Sequence, residues 1–150
     1  MNLHAAVISH VGRVRSNNED NFYLQGQIRQ DVEQLNSRAK FSGADTGVLF
    51  AVADGMGGEA KGEFASLEAV KTLRPSGIDQ ARTAATRSIN RANAVICREM
   101  DRAGCRMGTT LVALYLDKGR AVVCNVGDSR AYRVRGGRSE EHTSELQSPQ

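Results

Sequence analysis

Tryptophan is absent, aromatic residues make up only 5% of the chain, and the basic residues are scattered rather than clustered. Base-stacking platforms are therefore scarce. A nucleic-acid partner is disfavoured despite a net charge of +3 and a pI near 9.0, a balance that suits an anionic substrate equally well. No apolar run approaches the roughly 20 residues of a membrane span. The opening residues, MNLHAAVISHVGRVRS, lack the charged-then-apolar order of a signal peptide. The expectation is a cytoplasmic protein with no membrane partner. The three cysteines, Cys97, Cys105 and Cys124, are odd in number and form no CxxC or metal-finger spacing. They read as buried small apolar residues in a reducing compartment.

What is present is an ordinary globular composition, 40% hydrophobic and 25% charged over 150 residues, enough for one domain with a real core. Residues 3–11 read as a first strand and 22–24 as a second. Residues 25–46 are polar and irregular and read as a loop between paired strands. The run VLFAVA, residues 48–53, has no polar alternation and reads as a strand covered on both faces. Helices are expected over 62–73, where Phe64, Leu67, Val70 and Leu73 form a stripe, and over 78–102. Strands follow over 109–116, 121–126 and 131–134. Strands, then two helices, then a strand meander argue an α+β fold with antiparallel sheets.

Two acidic clusters stand at strand boundaries. VRSNNEDN, residues 14–21, carries Arg15, Glu19 and Asp20. ADGMGG carries Asp54 at the end of the apolar strand, with Gly55, Gly57 and Gly58 able to let backbone approach a ligand closely. An Asp before glycines is often only a turn former. Here the strand before it is too apolar for a solvated loop tip. Carboxylates with backbone carbonyl are the ligands of Mg²⁺ and Mn²⁺, and such a pair of cations activates water for attack on phosphorus. The planar fork of Arg15 suits a phosphate dianion. Together they point to phosphate-ester hydrolysis.

RSNNED, FAVADGMGGEAKGE, MGTTLV and NVGDSRAY, in this order, resemble the bacterial form of the PPM (type 2C) metal-dependent serine/threonine protein phosphatases. The likeness covers residues 5–137. It implies an αββα sandwich of two antiparallel sheets flanked by helices, with a dinuclear Mn²⁺ or Mg²⁺ centre between the sheets at one end. By this resemblance Arg15 matches the substrate-phosphate arginine. Glu19 and Asp54 match metal ligands, with Asp54 bridging and Gly55 lending its carbonyl. Asp20 matches the acid that orients the attacking water, and Asp128 a ligand to a third, weaker metal. Glu19, Asp20, Asp54 and the Gly55 carbonyl are then expected to converge on one cation cluster, with Asn17 and Asn18 bonding the turn that aims the acids inward. Met107, Gly108, Thr109 and Thr110 read as structural, a strand start under the site.

The implied reaction is metal-dependent hydrolysis of phosphoserine and phosphothreonine in proteins, a cognate kinase among the substrates, by a monomer. Two features depart from the family. Met56 stands where many eukaryotic members carry a histidine assigned as general acid, and a thioether donates no proton. Two further metal-binding aspartates, in motifs resembling SDGL and DN, have no counterpart after Gly137. The chain therefore reads as the N-terminal part of such a domain, residues 1–137, which as a fragment is weak or inactive. The alternative is a non-catalytic module that binds phosphopeptide or metal. The ADGMGG glycines do not make a P-loop, since no lysine follows at the required place. Residues 138–150, beginning RSEEHTSELQS, resemble translated read-through of a sequencing adapter and are expected to be a non-native or disordered tail that packs against nothing.

Overall fold

The fold is a computed structural model that describes residues 2–57 and 61–142. Gly58, one of the three glycines expected to admit a ligand, and residues 143–150 of the tail lie outside the described residues. The elements in chain order are β1 (Asn2–His10), β2 (Asp20–Leu24), β3 (Gln27–Ile28), β4 (Asn36–Ala44), β5 (Val48–Gly57), α1 (Lys61–Thr72), a 3-10 turn (Ile78–Gln80), α2 (Ala81–Ala103), β6 (Met107–Thr109), β7 (Leu111–Asp117), β8 (Arg120–Val126), β9 (Ala131–Arg135) and β10 (Arg138–His142).

The central sheet has the order β3-β2-β5-β7-β8, with β6 also pairing β5, and every pairing is antiparallel. Strand alternation divides β5 between two faces. Leu49, Ala51 and Ala53 enter the main core with Leu67, Val70 and Leu73 of the α1 region and Ala81, Ala85 and Ala92 of α2. Most of α1 is buried, Gly62, Ala65, Ser66 and Ala69 included. Small residues are needed there because the helix lies between β5 and α2. The buried positions of α2, Ala81, Ala85, Ser88, Ala92 and Ile96, follow three-and-four spacing. The helix stops at Gly104, which adopts φ 63° and donates its N–H to the Met100 carbonyl.

On the opposite face of the sheet lies the two-stranded ribbon β1-β4. Phe41 of β4 meets Phe50 of β5 edge to face, with ring centroids 5.6 Å apart. This cover is partial. Val52 remains 45% exposed, so β5 is sealed by helices on one side only, against the expectation of cover on both. The α+β class with antiparallel sheets is the observed one. The described residues supply one helical layer, the central sheet and the ribbon.

Three expectations are corrected. Residues 25–46 are not a loop, because β4 pairs with β1 over the full register from Asn2–Ala44 to His10–Asn36. The half-buried row of β4 is Ser37, Ala39, Phe41 and Gly43, too weakly apolar to reveal a strand; the pairing with β1 specifies it. The tail does not begin unpaired, since Arg138–His142 form β10 against β9. The turn between them is Gly136-Gly137, both at positive φ (58° and 73°), the two-residue geometry that closes a hairpin. Cys97 is exposed and Cys105 and Cys124 are half-buried, because Cys97 lies one residue off the buried stripe of α2.

Tyr115 lies in the core at 0% exposure with its hydroxyl unpartnered, and burial pushes its phenol up to about 12. Removing that oxygen removes an unmet desolvation cost. Tyr115→Phe is expected to leave stability unchanged or raise it by about 1 kcal/mol, whereas Leu49→Ala, at a fully buried β5 position, costs about 2–5 kcal/mol. Urea unfolding of both variants measures the contrast.

Candidate active site

The site is built on one register. Asp20, the first residue of β2, is the cross-strand partner of Asp54 in β5. Residues directly opposite in an antiparallel pair project to the same face. Phe22 with Val52, and Leu24 with Phe50, continue that face toward the ribbon. The two carboxylates therefore stand between the central sheet and β1, at one end of both.

Backbone clamps hold this end in place. At Asp54, β5 changes partner from β7 to β6, with Thr110 between the two. The Thr110 N–H donates to the Asp54 carbonyl at 2.9 Å, and the Asp54 N–H donates to Thr110 Oγ1 at 3.1 Å. The Thr109 hydroxyl donates to the Asp54 carbonyl at 3.1 Å, and Ser129 Oγ lies 2.6 Å from Thr110 Oγ1. The Glu19 carbonyl accepts from the Gly55 N–H at 3.2 Å and from Ser66 Oγ of α1 at 2.6 Å. Gly55 has no room for a side chain: a Cβ there would overlap the carbonyls of Gly62 and Glu19. A Cβ on Gly62 would overlap the Glu19 carboxylate. Three chain segments thus meet at the Glu19 backbone with no space between them.

A cavity of about 360 Å³ gathers Arg15, Glu19, Asp20, Asp54, Gly55 and Met56, with His10, Asn17 and Asn18 also on its wall. Arg15 Nη1 donates to Glu19 Oε2 at 3.3 Å while remaining largely exposed. Asn17 Nδ2 donates to Glu63 Oε1 at 2.7 Å, and Asn18 Oδ1 accepts the Asp20 N–H at 3.0 Å. Asn18 bonds the turn that carries the acids, as expected, whereas Asn17 ties that turn to Glu63 of α1. Burial raises the Asp20 carboxyl above the usual carboxylate range, and the charge and hydrogen bond of Asp54 raise it further. Burial also raises Glu19, followed by the neighbouring charge of Glu63.

The facing acids with Gly55 form an all-oxygen donor set, and their mutual repulsion is what a hard divalent cation relieves. The donor chemistry fits Mg²⁺ or Mn²⁺. The convergence is nevertheless less tight than expected. Among the described residues no three acidic, histidine or cysteine side chains are drawn together closely enough to hold a metal ion. The Glu19 carboxylate lies against Gly62 and Arg15 instead of closing on the aspartates. Asp128 is exposed and does not line the cavity, so it stands apart from the other expected ligands.

Several residues of the site escaped the motif reading. Glu63 is 3% exposed, takes the Asn17 amide on one oxygen and has no partner for the other. Ser66 and Gly62 act one helical turn apart on the Glu19 backbone and side chain. The spacing of Gly62, Glu63 and Ser66 was visible, but on an amphipathic helix such residues look like filler. His10 shows no ligand spacing in the sequence, yet its Nδ1 accepts the Gly12 N–H at 2.9 Å at the cavity wall.

Comparison with known proteins shows the family and the fold. A sequence model described as protein phosphatase 2C matches residues 23–148. The chain is 34% identical over 142 residues to the serine/threonine phosphatase stp of Listeria welshimeri, covering 87% of this chain and 49% of that protein. The crystal structure of the Mycobacterium tuberculosis serine/threonine phosphatase PstP/Ppp superposes with a TM-score of 0.70 at 30% identity, over 95% of this chain and 54% of that one. A structure of the PstP catalytic domain in complex with two manganese ions gives a TM-score of 0.69 at 29% identity, over 95% of this chain and 56% of that one. The chain spans about half the length of the Listeria relative.

A carboxyl whose folded-state value is raised destabilises the protein once pH exceeds its ordinary value of 3.8, and this penalty is absent below it, where both states are protonated. Asp20→Asn is therefore expected to raise the thermal midpoint in EDTA at neutral pH, with the advantage shrinking as pH falls. Melting curves of both proteins between about pH 3 and about pH 8 check the sign.

Proposed function

Because the chain belongs to the protein phosphatase 2C family, we propose that it carries the N-terminal part of a domain that hydrolyses phosphoserine and phosphothreonine in proteins with Mn²⁺ or Mg²⁺. The observation that carries this reading is the Asp20–Asp54 pair, set face to face in a cavity with Arg15 at its wall. Glu19, Asp54 and the Gly55 carbonyl are the residues that would hold the cations. When bound, these cations acidify water and neutralise charge on the attacking and leaving oxygens.

The remaining steps fall to the chain's own groups. Arg15, exposed and among the described residues tethered only by Glu19, is free to turn its guanidinium onto two phosphate oxygens of an incoming phosphoserine or phosphothreonine. Asp20 accepts a hydrogen bond from the attacking water at a carboxylate oxygen and so fixes its line of approach; burial and Asp54 make that oxygen more basic than an exposed carboxylate. Met56 is 66% exposed on the cavity wall and donates no proton, so the leaving alkoxide takes its proton from solvent. The substrates are phosphorylated proteins, a cognate serine/threonine kinase among them.

The family's two downstream aspartates have no counterpart in these 150 residues. One cation would then rest on Asp54 alone, too few anionic ligands for an ion that dehydrates reluctantly. The chain assayed by itself with aryl phosphate and a phosphothreonine peptide in saturating Mn²⁺ is expected to turn over at least about 100-fold more slowly than a full-length relative. EDTA should abolish the relative's activity. Turnover by the chain equal to the relative's, and sensitive to EDTA, would refute the two-cation account. Binding of phosphopeptide with no turnover in the chain or the relative would favour a binding module instead.

A further inference from the structure

A second cluster lies directly beneath the acids, and the reaction as described does not use it. Arg29 is 2% exposed, among the largest fully buried side chains of the protein. Its guanidinium spans two segments. Nη2 donates to the Asn18 carbonyl at 2.6 Å, while Nη1 donates to the Gln34 carbonyl at 2.7 Å and the Val32 carbonyl at 3.4 Å. The backbone of Arg29 is fixed in turn by the Asn21 side chain. Asn21 Nδ2 donates to the Arg29 carbonyl at 2.9 Å, and the Arg29 N–H donates to Asn21 Oδ1 at 3.1 Å. Asn18 closes the knot through Nδ2, which donates to Ser9 Oγ of β1 at 2.8 Å and to the Leu35 carbonyl at 2.9 Å.

Asn18 and Asn21 bracket Glu19 and Asp20. The guanidinium and its partners thus grip the acid segment from both sides, and the same side chain holds the connection from β3 to β4. Burying a guanidinium is costly unless its donors and charge are met. Here backbone carbonyls take the Nη donors, while the buried Nε–H has no partner among the described residues; the acids that act on its charge are Glu63, Asp20 and Asp31. Two of these three belong to the site.

We propose that Arg29 is the positioning residue of the site: from beneath, it sets the backbone of residues 18–20 so that Asp20 meets Asp54. It touches no substrate. Its bearing on cations rests on the metal-dependent reading above, whereas its hold on the backbone does not. A methionine at 29 fills similar volume without donors or charge. A lysine keeps the charge, but a single ammonium does not span Asn18 and Gln34 in the geometry of the planar fork.

The test compares Arg29→Met and Arg29→Lys with Leu49→Ala, which weakens the core away from this knot. The first readout needs no metal: amide hydrogen exchange of Asp20, whose N–H donates to Asn18, and of Gly55, whose N–H donates to Glu19. In Arg29→Met these two amides should exchange about 10-fold faster relative to those of β7, with a smaller increase in Arg29→Lys and no selective change in Leu49→Ala. The second readout is Mn²⁺ affinity by titration calorimetry. It should fall about 10-fold or more in Arg29→Met, the usual cost of losing a group that orients metal ligands, and be partly restored by lysine. Uniform acceleration of exchange in Arg29→Met, or none, would overturn the proposal. Should the methionine variant not fold, the lysine variant decides on the same two amides. A wild-type chain that binds no Mn²⁺ would count against the metal reading and leave the exchange comparison to judge Arg29.

Discussion

Two carboxylates opposite each other on neighbouring strands repel, and everything around Asp20 and Asp54 holds them there regardless. Like charges directly across an antiparallel pair destabilise a sheet. The register that creates this pair is the one that sets the buried Phe22, Tyr23 and Leu24 opposite residues 50–52 of β5. A slip of one residue would relieve the repulsion but turn every apolar side chain to the wrong face. Core packing therefore fixes the acids, and the acids do not choose their own position.

The end of the sheet is correspondingly over-determined. Thr109, Thr110 and Ser129 secure the Asp54 side, while Gly55 and Ser66 secure the Glu19 backbone. None of these groups needs to touch a substrate. They remove the conformational freedom that would let the carboxylates move apart, which is how a rigid scaffold preorganises charge. Arg15 is different. It stays exposed with one ion pair to Glu19. The acids are held by the fold on several sides, whereas Arg15 stands at the cavity wall with its guanidinium open to solvent.

The strongest parts of this arrangement were legible in the sequence. The β5 run ending at Asp54 and the asparagines around Glu19-Asp20 point to strand ends carrying acids, because apolar continuity and abrupt polar termination are local signals. The two helices and the β7–β8 meander follow from the same signals. What was not legible depends on long-range pairing. Strand β4 has a half-buried face of Ser, Ala, Phe and Gly, and becomes a strand only through β1. Arg29, within that same misread stretch, looks from sequence like one more surface cation. Gly62 and Glu63 were inside a quoted motif, but their purpose appears only when α1 is set against Glu19. Asp128 shows the reverse: a motif residue that the described structure leaves exposed, outside the cavity.

The central claim is that the β2–β5 register sets Asp20 opposite Asp54, at the place where Glu19, Asp54 and the Gly55 carbonyl are proposed to hold the cations. Titrating substoichiometric Mn²⁺ into the isotope-labelled chain and following paramagnetic broadening of its amide signals tests this most directly. The account predicts that signals of Glu19, Asp20, Asp54 and Gly55 broaden first, while those of β9 and of the ion-paired acids Glu68 and Glu99 persist. Broadening centred elsewhere, or spread evenly over the acidic surface, would contradict it.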